Sequence, residues 1–115
     1  MPMIGPDVRE ALFGGRGRVQ VWDMLGSREA HPFAAVLACE LEPGGSVGDH
    51  VQEAFPELVI CLDGEGRAKI DGAWHPLGPG ELVFLPLGSV LAIENSSADL
   101  PLHYLIVKAR TAAPG

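Results

Sequence analysis

The sequence predicts a single all-β domain, folded as a closed or nearly closed antiparallel barrel. Three observations point there. The chain has 115 residues, about the modal size of one domain. Its apolar residues gather in short runs rich in β-branched and aromatic types, with no helical period longer than about two turns. Those runs are separated by turn residues, drawn from 15 glycines and 10 prolines, as a chain of hairpins requires. About eight strands can be counted, and short strands without helices to cover their edges must pair, close or stack.

The opening segment up to Gly17 mixes Pro, Gly and charge, and a short helical turn at "DVREALF" is the most it suggests. The runs "RVQVWDML" and "FAAVLACELE" have strand length and composition. In the second, period-two alternation puts Leu37, Cys39 and Leu41 on the inner face and Glu40 and Glu42 on the outer one. After "PGGSVGDHVQ" come "ELVICL", the turn "DGEG", "RAKI", the pair Asp71-Gly72 and "AWHPL". Asp-Gly between two strand candidates is the strongest short hairpin signal a sequence carries. Two more strands lie in "PLGPGELVFLPLGSVLAIEN", parted by Pro86 and Gly88, and "LPLHYLIVKAR" supplies the last. Residues 1–17 thus form an N-terminal segment, 18–110 the barrel and 111–115 a tail.

Composition narrows the function classes. Fifteen acidic residues against eight basic leave a formal charge of −7, which disfavours nucleic acid and anionic membrane surfaces as partners. No window approaches the ~18 apolar residues of a membrane span, and the first residues lack a secretory apolar region; a cytoplasmic protein is expected. In that compartment Cys39 and Cys61 read as buried thiols rather than a disulfide.

The chemistry-bearing stretch is "GDHVQEAFPELVICLDG", residues 48–64. On a strand His50 and Gln52 point the same way, and Glu57 lies on the next strand beyond the Phe55-Pro56 turn. If those strands are neighbours, an imidazole, an amide oxygen and a carboxylate converge on one point at the barrel mouth and leave positions open, as catalytic metal sites do. The same residues equally describe a hydrogen-bonded polar rim. His103 is a further candidate ligand: if Lys108 and Arg110 face water, parity turns His103, Leu105 and Val107 inward. The plain alternative is a core histidine. Val59 and Cys61 share the inward parity of Glu57, and Cys61 is read as core packing or as a deeper thiol ligand. His31 and His75 precede prolines and read as exposed. Trp22 and Trp74 read as core or contact residues.

The glycines and prolines around the trio resemble the two motifs of the cupin superfamily. The first family motif runs Gly, five residues, His-x-His, three or four residues, Glu, six residues, Gly; here stand Gly44, His50-Val51-Gln52, Glu57 and Gly64 at those spacings. The second runs Gly, five residues, Pro-x-Gly, two residues, His, three residues, Asn; here stand Gly80, Pro86-Leu87-Gly88, Leu91 and Asn95. The resemblance implies a jelly-roll barrel, or double-stranded β-helix, and a divalent metal held by three histidines and a glutamate. Gln52 and Leu91 replace two of those histidines, so the implied metal, held by His50, Gln52 and Glu57 with His103 as an extra ligand, is weak and of low occupancy. The resemblance also implies a homodimer, with the N-terminal segment flexible or lent to the partner; outward Tyr104, Ile106 or Trp22 would be covered by it.

Two functional readings follow. One is a small-molecule binder whose pocket is closed by Leu91, Phe84, Cys61, Val59 and His103, with His50 and Gln52 orienting the ligand. The other is a metal-dependent dioxygenase- or isomerase-like enzyme acting on a small organic substrate, with Glu57 as a candidate general base. The motifs do not name a reaction.

Overall fold

The computed structural model describes residues 4–111. Ten strands account for most of them: β1 (Ile4–Glu10), β2 (Arg18–Asp23), β3 (Phe33–Leu41), β4 (Ser46–Val51), β5 (Glu57–Asp63), β6 (Gly66–Ile70), β7 (Ala73–Leu77), β8 (Leu82–Leu85), β9 (Val90–Asn95) and β10 (Leu102–Ala109). They form two antiparallel sheets, β1-β2-β3-β10-β5-β8 and β4-β9-β6-β7, which face one another as a jelly roll. The expected all-β class holds, with two strands beyond the expected eight.

Those two had weak signals. β4 is Ser-Val-Gly-Asp-His-Val, poor in β-formers; it exists because β9 supplies a partner, with Ser46 opposite Glu94 and His50 opposite Leu91. β1 replaces the helical turn expected over "DVREALF". Its residues from Asp7 to Glu10 pair with Val21 to Arg18 of β2, and the ladder is irregular between Ile4 and Asp7, around Pro6. Inter-strand hydrogen bonds there outweigh a weak local helical preference. A single 3₁₀ turn follows at Leu12–Gly14. The tail beyond Thr111 lies outside the described residues.

The Asp71-Gly72 hairpin forms as expected. Ile70 pairs with Ala73, and both turn residues have positive φ, 48° and 87°, the geometry whose twist matches the flanking strands. The core between the sheets holds Val19, Leu41, Val59, Leu85, Leu91, Ile93 and Leu102, all buried.

The inner face of β10 differs from expectation. Leu102 and Tyr104 are buried, and Ile106 packs on the core, so Lys108, on the same parity, points inward and His103, Leu105 and Val107 point out. Tyr104 and Ile106 are therefore not surface residues awaiting a partner. The assumption that a terminal lysine must face water failed because Lys108 is paired across the ladder with Glu57, which compensates its charge.

Candidate functional site

Between the sheets lies a cavity of about 160 Å³. Val19, Val21, Leu37 and Cys39 line it from β2 and β3, Tyr104, Ile106 and Lys108 from β10, Glu57 from β5, Val47 and His50 from β4, and Leu91 and Ile93 from β9. Leu12 and Phe13 close the remaining side. Below the ~300 Å³ of sites for drug-sized molecules, this space suits a small metabolite. The walls are mainly apolar; the ionisable side chains among them are His50, Glu57 and Lys108, with the Tyr104 hydroxyl and the Cys39 thiol beside each other.

His50 faces inward because β4 is irregular. Val47 is buried on the inner face, and strict alternation would then turn Asp49 in and His50 out; the register shifts between Val47 and His50 and restores His50 to the cavity. Its Nδ1 lies 3.0 Å from the Gly48 carbonyl oxygen. Burial holds the imidazole below its ordinary 6.5, with the Gly48 hydrogen bond opposing, so the ring is neutral near pH 7.

Phe13 stacks on that ring, centroids 4.2 Å apart and planes 12° from parallel. The turn carrying Phe13 sits hard against β4: a Cβ on Gly48 would fall inside the Phe13 carbonyl, and one on Gly15 inside the Ser46 carbonyl. Phe13 itself has φ 53° and ψ 34°, a left-handed conformation rarely taken by bulky residues. Its side chain is 55% exposed and also borders a wider outer groove along β1 with Leu12 and Lys108. Phe13 thus stands between the cavity and the outside.

Glu57 is 3% exposed. Its Oε2 is buried and has no hydrogen-bond partner, while Oε1 lies 3.7 Å from the Lys108 ammonium. Burial pushes the carboxyl above the ordinary range and Lys108 draws it back. Cys39 is pushed up to about 12 by burial, which removes it as a thiolate nucleophile or ligand.

The expected trio is only partly assembled. His50 and Glu57 meet in the cavity, yet from opposite sheets; β4 and β5 are not neighbours, because the chain crosses between sheets over residues 52–56. Gln52 is buried at 4% exposure, its Nε2 without a partner, but it does not line the cavity. Its backbone continues the pairing toward β9, donating to Ser89 O at 2.9 Å and accepting from Gly88 N at 2.8 Å.

Of the expected pocket residues, Leu91 lines the cavity. Val59 and Cys61 are buried but do not border it. Phe84 is 58% exposed: Leu85 takes the inner face of β8, and alternation turns Phe84 out. His103 lies on the outer face, Nε2 2.8 Å from Glu40 Oε1, and is neither pocket residue nor extra ligand. Trp74 is exposed under the Arg67 guanidinium, 3.9 Å from the ring centre. Among the cavity residues that the sequence did not single out as pocket residues are Lys108, Phe13, Tyr104 and Cys39. For Lys108 the available signal was the opposite parity of β10, where Leu102, Tyr104 and Ile106 make an equally apolar face.

A tightly held divalent ion does not fit these residues. Among the described residues no group of three or more His, Cys, Asp or Glu side chains could hold a metal. Leu91 stands opposite His50 and offers only methyl groups. The Lys108 ammonium beside Glu57 already supplies the positive charge there and repels a second cation.

Asn95, part of the second motif, has a structural role. Its Nδ2 donates to the carbonyls of Leu41 and Glu42, each at 3.1 Å, and Leu100 at 2.8 Å, and its Oδ1 accepts from Ser97 N at 2.9 Å. It clasps the end of β3 to the loop after β9.

Comparison with known proteins agrees with this architecture. The family profile described as Cupin domain matches residues 37–108. A Thermotoga maritima protein named Oxalate-binding protein is 32% identical over 105 residues, 90% of this chain and 86% of that one. A crystal structure from Thermotoga maritima, described as a predicted oxalate decarboxylase, superposes with a TM-score of 0.86 at 29% identity, covering 94% of each chain. A Cupin 2 conserved barrel domain protein from Salinispora arenicola superposes with a TM-score of 0.74 at 23% identity, over 96% of this chain and 87% of that one. Among the described residues no helix is long and apolar enough to cross a membrane.

Proposed function

This chain belongs to the cupin family, and from that premise we propose that its barrel binds a small organic molecule without a tightly held metal ion. The observation that carries the reading is the small cavity between the sheets, apolar on most sides and carrying His50, Glu57 and Lys108. A pocket of this kind orients a ligand by few polar groups and holds it by apolar contact. The name of the Thermotoga maritima relative supports a small organic acid as the class to try first. What survives of the donor set in the cavity, His50 and Glu57 without Gln52, is a weak or vestigial metal site of low occupancy.

A second reading, a metal-dependent enzyme of the dioxygenase or isomerase kind, draws support from one feature: the unpartnered Oε2 of Glu57, a carboxylate free to act as a general base. Elemental analysis separates the two. Protein purified without an affinity tag is expected to carry no stoichiometric metal, and neither is His50→Ala. Stoichiometric metal in the native chain, lost in His50→Ala, would overturn the metal-free reading and favour the enzyme.

The proposal includes a cytoplasmic homodimer. The outer face of the larger sheet supports it, since Leu62, Leu82 and Phe84 are 52%, 55% and 58% exposed beside Leu58 and Ile60 of β5 and Leu105 and Val107 of β10. Such a face is covered in most stable proteins. β1, an edge strand exposed along its length, could be exchanged between two copies with its register on β2 unchanged.

A further inference from the structure

The polar groups of the cavity have hydrogen-bonding capacities that are complementary to one kind of ligand. Lys108 offers donors. Its ammonium carries three N–H groups, and the facing Glu57 oxygen, at 3.7 Å, is beyond hydrogen-bond reach. His50 offers an acceptor. Its Nδ1 faces the Gly48 carbonyl oxygen at 3.0 Å; a carbonyl only accepts, so Nδ1 carries the proton and donates, and Nε2 is left with a bare lone pair. Glu57 offers a second acceptor in Oε2, buried and unpartnered. The rest of the lining is mainly apolar, with Val19, Val21, Leu37, Val47, Leu91 and Ile93; the Tyr104 hydroxyl and Cys39 thiol, which also line it, face each other.

We infer that the cavity selects a small monocarboxylic acid with a hydroxyl beside its carboxylate and a branched aliphatic body, and that Lys108 holds the anion. The inference rests on the barrel being a small-molecule site, as proposed above, and adds the class of the ligand. Each feature answers one wall. The carboxylate accepts from the Lys108 ammonium in a charge-assisted hydrogen bond. The hydroxyl donates to Nε2 of His50, on a half-buried ring, or to Oε2 of Glu57, a buried acceptor that otherwise stays unsatisfied. The aliphatic body fills the apolar space, and a volume of about 160 Å³ excludes large ones. Oxalate matches poorly: it has no apolar surface, and its second carboxylate would face Glu57.

Calorimetric titration of the full chain in metal-depleted buffer tests this with 2-hydroxyisovalerate and three analogues. These are its amide, without the charge; isovalerate, without the hydroxyl; and oxalate, without the apolar body or the hydroxyl and with a second carboxylate. The hydroxy acid is expected to bind tightest, at least tenfold more tightly than the amide. In Lys108→Met that preference should vanish. The double variant Lys108→Met/Glu57→Gln, which leaves no buried charge uncompensated, gives the same comparison if the single variant folds poorly. Equal affinity of the native chain for acid and amide would overturn the role of Lys108 and leave the barrel a binding site. Isovalerate or oxalate outranking the hydroxy acid would overturn the ligand class. Binding of oxalate only after Mn²⁺ is added would overturn the metal-free reading itself and this inference with it. No binding of any of the four, with or without Mn²⁺, would also overturn the inference.

Discussion

Replacing Lys108 by methionine keeps an unbranched side chain, one atom shorter, and removes the charge that faces Glu57. The carboxylate is 3% exposed and its other oxygen has no partner, so the ammonium 3.7 Å away is its main compensation. At that separation the Coulomb attraction is about 4–5 kcal/mol at an effective dielectric of ~20. The Lys108 side chain is still 33% exposed, and water screens the pair, which brings the expected loss to about 2 kcal/mol where Glu57 is ionised. Protonation limits that loss, because a neutral carboxyl needs no counter-charge. Burial already holds Glu57 above the ordinary 4.5, and Lys108 is what pulls it back, so the variant raises it further. A carboxyl whose folded pKa exceeds its unfolded value binds its proton first in the folded state. Stability therefore rises as pH falls through the raised folded value and levels off below the unfolded one. Urea denaturation of both proteins at several pH values from 8 down to 5 should show a deficit of about 2 kcal/mol at the alkaline end that shrinks toward the acid end. A deficit equal at every pH, or none at the alkaline end, would refute the placement of this ammonium against this carboxylate.

Asn95→Ala removes the clasp between β3 and the loop after β9 and leaves several carbonyls short of donors; a loss of about 2–4 kcal/mol is expected from the hydrogen bonds broken at a buried site, read by chemical denaturation. A loss under ~1 kcal/mol would show that water replaces the amide. His50 is held below 6.5 by burial, so the unfolded chain takes the proton first and stability is lost as pH falls from 6.5 toward the lowered value. His50→Gln should abolish that loss, and the His50 ring resonances in an NMR titration should move with a midpoint below 6.5; a midpoint at or above 6.5 would contradict the buried, neutral ring. Leu82→Glu/Phe84→Glu places two charges on the outer sheet face, and light scattering after size exclusion should show a dimer for the native chain and a monomer for the variant. An unchanged mass would place the interface elsewhere.

Much of the architecture could be read along the chain, because it depends on local rules. Period-two alternation put Leu37, Cys39 and Leu41 on the inner face of β3, and they are found there. Asp71-Gly72 names a two-residue hairpin because few other pairs accept two positive φ angles in succession. The motif spacings named His50, Glu57 and Leu91, three of the residues that line the cavity, along with Gln52, which does not. What the chain could not reveal is non-local. Both faces of β10 are apolar enough to be buried, and only the pairing of Lys108 with Glu57 on another strand allows the charged face to turn inward. His50 reaches the cavity through an irregularity in the β4–β9 ladder, and a strand read alone carries no sign of a one-residue slip that reverses its faces. Phe13 covers the imidazole because Gly15 and Gly48, some thirty residues apart, let two backbones touch. Alternation and turn chemistry are properties of neighbours in sequence; the charge inside this barrel is a property of neighbours in space.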